Sequence, residues 1–173
     1  NAMDIGLTPA PSIVYRPIGG ILDLFVFVGQ SPDNVVSDYI NLIGLPSMPP
    51  MWGLGFHLCR YGYNSAQRTM KIWNNTKNAK IPFDVQWNDI DYMDNFNDFT
   101  YDKTTYSGLP EFVELIHKLG MHYVMIIDPG VSGGEKSGTY PPYDEGMQMD
   151  IFIKNSTGQV LIGRVWNKSG KTV

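Results

Sequence analysis

The sequence has little cysteine, no long apolar run and no excess of basic residues, and each shortage excludes a class of protein. The single cysteine, Cys59, cannot supply a disulfide framework or a cysteine-based metal cluster. The net charge is −4 and no basic stripe is present, which argues against nucleic acid as a partner. The apolar stretch 21–28 has the length of a strand, well short of the ~18 residues that suggest a membrane span. We therefore expect neither nucleic-acid binding nor membrane contact from this segment.

The composition is that of a globular protein rich in aromatic residues. Hydrophobic residues make up 43% of the 173 residues and charged residues 17%, which disfavours disorder. Aromatic residues reach 13%. Aromatic rings fill cores, and they also stack on the flat, CH-rich faces of sugars, so the excess fits either use. The length allows one ordinary domain or parts of two.

The first part of the chain predicts an extended lead-in, a strand and a helix. Residues 1–18 show little periodicity, and 21–28 is rich in β-forming residues, as in a strand buried on both faces. Ser31 followed by proline is a helix start, and Gly44 is a helix stop. Three prolines mark 45–50 as a linker. We thus predict one domain segment over 1–44 and a second over 51–173.

Beyond the linker, strands and helices alternate. Strands are predicted at 53–58, 83–88 and 122–127, with one helix capped by Ser65 and another beginning near Pro110. This order implies a parallel α/β sheet with right-handed crossovers. Short β-forming runs then predict a hairpin within about 151–166, turning at 155–158.

Two α/β architectures fit this order, an open doubly wound sheet and a (β/α)8 barrel. No glycine-rich phosphate fingerprint follows the first strand, which weakens the nucleotide-binding form of the open sheet. A complete (β/α)8 barrel needs ~250 residues. This chain would therefore hold about the first three strands of one.

Acidic residues follow the predicted strands, where parallel sheets place their binding sites. Asp89 and Asp91 come directly after the second strand and Asp128 ends the third. Such carboxylates accept hydrogen bonds from substrate hydroxyls or act as acid, base or nucleophile, although an aspartate in a loop more often caps nearby backbone. We assign Asp94 and Asp98 to local support and leave both interpretations open for the other three.

The histidines do not predict a metal site or a catalytic triad. They lack metal-ligand spacing with cysteine or glutamate, and no Gly-x-Ser-x-Gly elbow occurs. No metal or cofactor is therefore expected. His57 ends the first predicted strand, so a role at the mouth of a barrel stays open.

Three Asn-x-Ser/Thr sequons, at Asn74, Asn155 and Asn167, are candidates for glycosylation. They favour an extracellular or lumenal protein.

The chain begins Asn-Ala-Met, so we expect a cloning scar or the cut edge of a longer protein. Anchorage of that protein to a membrane through upstream residues stays open.

Several ordered motifs span nearly the whole chain. They are Tyr-Arg at 15–16, Gly-Gly-Ile-Leu-Asp at 19–23, the stretch 52–63, Ile-Pro-Phe-Asp-Val-Gln at 81–86, Asp-Ile-Asp-Tyr-Met at 89–93, Asp-Phe-Thr-Tyr-Asp at 98–102, Ile-Ile-Asp-Pro at 126–129 and Ile-Gly-Arg-Val-Trp at 162–166. In this order they resemble the α-glucosidases of glycoside hydrolase family 31, above all the animal maltase-glucoamylase and sucrase-isomaltase group. The resemblance implies a (β/α)8 barrel preceded by the end of a β-sandwich domain.

The resemblance also implies an activity and a substrate pocket. Family members are retaining, exo-acting enzymes that need no metal and release glucose from maltose, malto-oligosaccharides and related α-glucosides. Asp89 would bind hydroxyls of the terminal glucose. The same pocket would be lined by Tyr61, Ile90, Ile126 and Trp166.

The catalytic carboxylates of the family have no counterpart in these residues. No Trp-Ile-Asp-Met-Asn-Glu-like segment, which carries the nucleophile, is present, and the acid/base lies later still. Asn167 and Lys168 stand where Pro-Gly is usual after the tryptophan. We expect a fragment of an α-glucosidase that is inactive alone. The alternatives are a truncated member that binds sugar or a partner without catalysis, a non-functional remnant, and an unrelated barrel enzyme.

Overall fold

A computed structural model describes residues 3–173. The chain divides into two compact units, Asn1–Met48 and Pro49–Val173. This division falls within the predicted linker 45–50, whose backbone has no regular secondary structure. Each unit is described by itself.

The first unit begins with a β-hairpin in place of the expected extended lead-in. Strand β1 (Met3–Thr8) pairs antiparallel with β2 (Ser12–Pro17), in a register that runs from Met3↔Pro17 to Thr8↔Ser12. The Thr8 hydroxyl donates to the carbonyl of Ala10 at 2.6 Å and contacts the Ser12 hydroxyl at 2.6 Å, which closes the turn. Residues 1 and 2 of the predicted lead-in lie outside the described residues.

The predicted strand over 21–28 is wrong. Its backbone has no regular secondary structure, and Ile21 and Leu22 are 95% and 91% exposed. A strand needs a neighbouring backbone to satisfy its N–H and C=O groups. None of the described residues pairs with this segment, so β propensity alone does not form a strand.

The predicted helix after Ser31 is confirmed as α1 (Pro32–Ile43). The Ser31 hydroxyl accepts a hydrogen bond from the Asn34 N–H at 3.3 Å, and proline occupies the first turn. Gly44 ends the helix with a positive φ of 86°, and its N–H donates to the Ile40 carbonyl.

The second unit holds a three-stranded parallel sheet, which confirms the predicted alternation of strands and helices. Strands β3 (His57–Leu58), β4 (Val85–Asn88) and β5 (His122–Met125) lie in that order, with β4 in the centre. Helix α2 (Ala66–Asn78) connects the first pair, and α3 (Leu109–Lys118) connects the second. The first strand is shorter than predicted, because a 3-10 helix, Met51–Leu54, occupies the residues where the strand was expected to begin.

The core of the second unit lies where α2 and α3 meet. Both helices carry an amphipathic stripe, and Trp73 and Phe112 meet edge to face with ring centroids 5.5 Å apart. Burial of such side chains stabilises a fold by about 1.5–3 kcal/mol each. The buried cluster comprises Ala66, Trp73, Tyr92, Met93, Tyr106, Leu109, Phe112 and Ile116.

Buried polar side chains tie the central strand to its neighbours. The Asn88 side-chain amide donates to the Thr69 hydroxyl of α2 at 3.0 Å and accepts from the Tyr123 hydroxyl of β5 at 3.1 Å. Gln86 donates to the Leu58 carbonyl of β3 at 3.2 Å. These bonds specify the register of β4, because a one-residue slip would turn both side chains to the other face.

The last part of the chain contains one helix and mostly irregular backbone. Helix α4 (Pro141–Met149) is not among the predicted elements. The hairpin predicted at 151–166 is present only as a bridge between Lys154 and Val160, without regular strands. Its predicted turn is present, since the Gly158 N–H donates to the Asn155 carbonyl at 3.0 Å.

Candidate functional site

The carboxyl ends of the three parallel strands bring acidic side chains to one edge of the sheet. Cys59 directly follows β3, Asp89 directly follows β4, and Asp128 lies three residues beyond β5. Burial raises the pKa of Asp128, and the negative charge of Asp89 raises it further. Burial likewise raises the pKa of the Cys59 thiol, and the negative charges of Asp89 and Asp91 raise it further. This edge of the sheet is therefore electronegative, and its charged side chains are close enough to shift one another's pKa.

Asp89 presents one carboxylate oxygen that is not used by the fold. The residue is half-buried and caps a 3-10 helix, Ile90–Tyr92, through a 2.7 Å bond from the Ile90 N–H to Oδ1. Within residues 3–173 the second oxygen, Oδ2, has no hydrogen-bond partner. A fixed carboxylate with a free oxygen can accept a hydrogen bond from a ligand hydroxyl.

Asp91, two residues later, is used entirely within the fold. It is 8% exposed and accepts hydrogen bonds from the N–H of Asn64 at 2.6 Å, the N–H of Gly62 at 3.2 Å and the Tyr106 hydroxyl at 2.6 Å. These contacts fix the loop after β3. Strand β4 ends at Asn88, so both aspartates lie beyond the regular alternation of a strand.

Asp98 supports the position of Asp128. Its side chain is 1% exposed, and Oδ1 accepts the Asp128 N–H at 2.8 Å. Burial raises the pKa of Asp98; the Asp128 N–H lowers it and the Asp128 charge raises it. Local sequence gives no signal for this contact, because the two residues are 30 positions apart. Support by Asp98 was predicted, but its long-range partner was not.

Ile90 and Ile126 lie together against the core. Both are half-buried and pack on the core cluster. The Ile126 N–H donates to the Asn88 carbonyl at 3.1 Å, and the Tyr92 hydroxyl donates to the Ile126 carbonyl at 3.0 Å. The ends of β4 and β5 are thereby joined beside Asp89.

Tyr61 and Trp166, by contrast, lie largely exposed at the surface. They are 58% and 67% exposed, and within the described part of the chain their side chains make no hydrogen bond or ring contact. The segment that carries Trp166 does reach the loop after β4. The Lys168 N–H donates to the Asn95 carbonyl at 3.0 Å, and the Lys168 ammonium lies 5.1 Å from the centre of the Phe96 ring.

His57 and Cys59 differ from what their positions suggested. The Trp87 indole N–H donates to His57 Nδ1 at 2.8 Å, and Nε2 lies 3.1 Å from the Trp52 carbonyl, so both ring nitrogens are used in the fold. A role for His57 as an acid or base at the barrel mouth is not supported. Cys59 is a free cysteine and is exposed, although a lone cysteine is more often a small buried apolar residue.

The three sequons occupy different environments. Asn74 lies on the exposed side of α2 and Asn155 lies in an exposed turn. Asn167 is 5% exposed, and its side-chain nitrogen donates to the Lys171 carbonyl and the Thr172 hydroxyl. The structure therefore speaks against Asn167 as a glycosylation site.

Residues 3–173 contain no group of three or more His, Cys, Asp or Glu side chains placed to hold a metal ion. Among the helices of the same residues, none combines the length and the apolarity that a membrane crossing requires.

The sequence profile described as "Glycosyl hydrolases family 31 TIM-barrel domain" matches residues 46–173. The chain is 49% identical over 166 residues to the lysosomal alpha-glucosidase of Bos taurus, which is 96% of this chain and 18% of that protein. It is 44% identical over 169 residues to the intestinal sucrase-isomaltase of Oryctolagus cuniculus, 96% of this chain and 9% of that protein. The chain thus spans less than a fifth of these relatives.

The chain also superposes on solved structures of other proteins. The family 31 alpha-glucosidase of Bacteroides thetaiotaomicron superposes with a TM-score of 0.81 at 28% identity, covering 99% of this chain and 28% of that one. The glucosidase II alpha subunit, solved with DNJ bound, gives a TM-score of 0.75 at 30% identity over 84% of this chain and 15% of its own.

Proposed function

Because the chain belongs to glycosyl hydrolase family 31, we propose that it is part of a retaining exo-α-glucosidase acting on maltose, malto-oligosaccharides and related α-glucosides. The observation that carries this proposal is the family match over 46–173, together with an acidic edge at the carboxyl ends of β3, β4 and β5. Relatives named as lysosomal or intestinal enzymes support an extracellular or lumenal location.

We also propose that β3, β4 and β5 are the first three strands of a (β/α)8 barrel. Their parallel order and the helices between them support this assignment. Residues 1–44 would be the end of a preceding β-sandwich domain. The antiparallel pair β1 and β2 supports an all-β origin for that segment.

Asp89 is the residue proposed to hold the terminal glucose. Its free Oδ2 would accept hydrogen bonds from sugar hydroxyls, and its partly buried position strengthens such bonds. Ile90 and Ile126 would supply apolar walls beside it. Tyr61 and Trp166 would complete the pocket with exposed aromatic surface that a sugar can cover.

The chemistry itself would need two further carboxylates. In a retaining glycosidase one carboxylate attacks the anomeric carbon while a carboxylic acid protonates the leaving oxygen, and water then releases the sugar. The 173 residues hold no segment resembling the family's nucleophile motif. This chain would therefore bind and orient glucose, while other residues of the complete protein break the bond.

The stereochemistry of the first product tests the proposal. The complete protein is mixed with maltose and the glucose anomers are followed by proton NMR before they equilibrate. We expect α-glucose to accumulate first, and malto-oligosaccharides to lose one glucose at a time. Initial β-glucose, or release of internal fragments, would contradict a retaining exo-enzyme.

Non-catalytic sugar binding is the second candidate, favoured by the lack of a nucleophile motif in these residues. The purified 173-residue chain is assayed for maltose hydrolysis and, by calorimetry, for maltose binding. We expect no hydrolysis. Saturable binding without turnover would favour the second candidate for this chain, and sustained hydrolysis would overturn its assignment as inactive.

A further inference from the structure

The turn at Asn155 holds its side-chain oxygen and leaves its side-chain nitrogen free, a combination that neither Asn74 nor Asn167 shows among the described residues. Asn155 Oδ1 accepts three hydrogen bonds, from the Thr157 hydroxyl at 2.7 Å, the Thr157 N–H at 3.0 Å and the Gln159 N–H at 3.0 Å. Within the described residues, Nδ2 has no partner and the residue is exposed. The turn thus orients the amide with its nitrogen towards solvent.

This arrangement suits attachment of a sugar to the amide nitrogen. The lone pair of Nδ2 is delocalised into the carbonyl, so the nitrogen is a weak nucleophile. Hydrogen bonds donated to Oδ1 make the Nδ2 proton more acidic. When a base removes that proton, Nδ2 can bond to the anomeric carbon of an activated oligosaccharide diphosphate, whose C1–O bond breaks to release the diphosphate.

The folded structure does not accommodate a glycan on Asn167. Its hydroxyl contact is similar, since Ser169 donates to Asn167 Oδ1 at 2.8 Å. Its Nδ2, however, is buried and donates to the Lys171 carbonyl at 3.0 Å and the Thr172 hydroxyl at 2.8 Å. A glycan there would break both bonds and leave buried acceptors unpaired, which is costly.

The sequon at Asn74 lies within a helix. The Thr76 hydroxyl donates to the Ile72 carbonyl at 2.9 Å, four residues back, and not to Asn74. Residues 74–76 belong to α2, so the local turn seen at Asn155 does not form. The Asn74 amide is exposed, but the fold does not orient it as it orients the Asn155 amide.

We propose that Asn155 carries an N-linked glycan and that Asn74 and Asn167 do not. The glycan would project from an exposed turn closed by the Asn155 N–H bond to the Gln159 carbonyl at 2.8 Å. The proposal relies on the lumenal location proposed above. It is independent of the hydrolase activity, because the turn does not include any residue of the glucose pocket.

Translation of the full chain behind a cleavable secretion leader, in the presence of endoplasmic-reticulum microsomes, tests this site. Only chains that added protease does not reach are scored, so failure of translocation is not confused with absence of modification. We expect one upward gel shift that a peptide N-glycosidase removes. Asn155→Gln and Thr157→Ala should abolish it, and Thr157→Ser should retain it.

Asn74→Gln and Asn167→Gln are the matched controls, and each should keep the single shift. A shift that survives Asn155→Gln would overturn the proposal, as would protected chains with no glycan or with more than one. Loss of the shift only in Asn155→Gln and Thr157→Ala would establish it.

Discussion

At the scale of single residues, Asp89 and Asp91 have opposite uses although they are two positions apart. Asp91 is buried with hydrogen bonds from Gly62, Asn64 and Tyr106. Among the described residues, the Asp89 side chain accepts a hydrogen bond from Ile90 alone and leaves one oxygen free. The difference arises because β4 ends at Asn88 and a 3-10 helix follows, so burial separates a structural carboxylate from a binding one.

We predict that Asp91→Asn loosens the loop after β3. Replacing one acceptor oxygen by an NH2 group sets two donors against each other and removes charge-assisted bonds, at a cost of about 2 kcal/mol. Hydrogen exchange at the Gly62 and Asn64 amides should quicken ~30-fold. Asp89→Asn is the control and should leave those amides unchanged. Equal protection in both variants would contradict the role of Asp91.

The buried phenol of Tyr92 gives a pH-dependent prediction. Burial, followed by the charges of Asp98 and Asp128, raises its pKa from 10.0 to about 12. The unfolded chain loses this proton at lower pH than the folded chain, so the free energy of unfolding should fall as pH rises from 10 to 12.

Tyr92→Phe should flatten that alkaline decline, measured by urea unfolding at a series of pH values. At neutral pH it should lower the free energy of unfolding by about 1 kcal/mol, because the bond to the Ile126 carbonyl is lost. Tyr15→Phe, at an exposed strand position, is the control. An unchanged alkaline slope in Tyr92→Phe would refute the assignment.

At the scale of secondary structure, helix α2 depends on its capping residue. The Ser65 hydroxyl accepts the Arg68 N–H at 3.1 Å, and the helix buries Ala66, Thr69 and Trp73. Ser65→Ala should lower the free energy of unfolding by about 1 kcal/mol in a denaturant titration. Ser65→Asp, which keeps an acceptor, should lower it much less. If Ser65→Asp lowered the free energy of unfolding as much as Ser65→Ala, the side-chain acceptor of the cap would not stabilise the helix.

Helices proved more predictable than strands, and the physical reason is the range of their hydrogen bonds. The caps Ser31 and Ser65 lie within four residues of the N–H groups they satisfy, so sequence alone indicates them. The segment 21–28 has strand composition but no strand partner among the described residues. Helix α4 was missed because Tyr140 offers no side-chain cap and two prolines at its start suggest a turn.

At the scale of the whole molecule, the exposed apolar residues over 21–28 predict self-association. Six apolar side chains of this eight-residue stretch are exposed, with Leu22 91% and Leu24 73% exposed. Contiguous apolar surface of this kind drives association, whereas single exposed residues do not.

Sedimentation of the chain over a range of concentrations tests this prediction. We expect oligomers that dissociate when Leu22 and Leu24 are both replaced by Ser. Met149→Ser, at a single exposed position, is the control and should leave the oligomers in place. A wild-type chain that stays monomeric throughout would contradict the prediction.

The acidic edge of the site was predictable in part. Strand ends indicated Asp89 and Asp128, because parallel strands place their carboxyl ends at one edge. The Asp98 bond to the Asp128 N–H and the burial of Asp91 were not indicated, since both depend on contacts 15 to 30 residues away in sequence. The roles of Tyr61 and Trp166 depend on the family resemblance and stay predictions.

The most direct test of the central claim is kcat/KM for maltose in the complete protein carrying Asp89→Asn, measured beside Asp94→Asn. Asp94 is an exposed carboxylate five residues away whose side chain takes no part in the proposed pocket. Loss of charged acceptor bonds worth about 3 kcal/mol predicts a decrease of about 100-fold for Asp89→Asn, and almost none for Asp94→Asn. Equal activity of the two variants would contradict the assignment of Asp89 as the glucose-binding carboxylate.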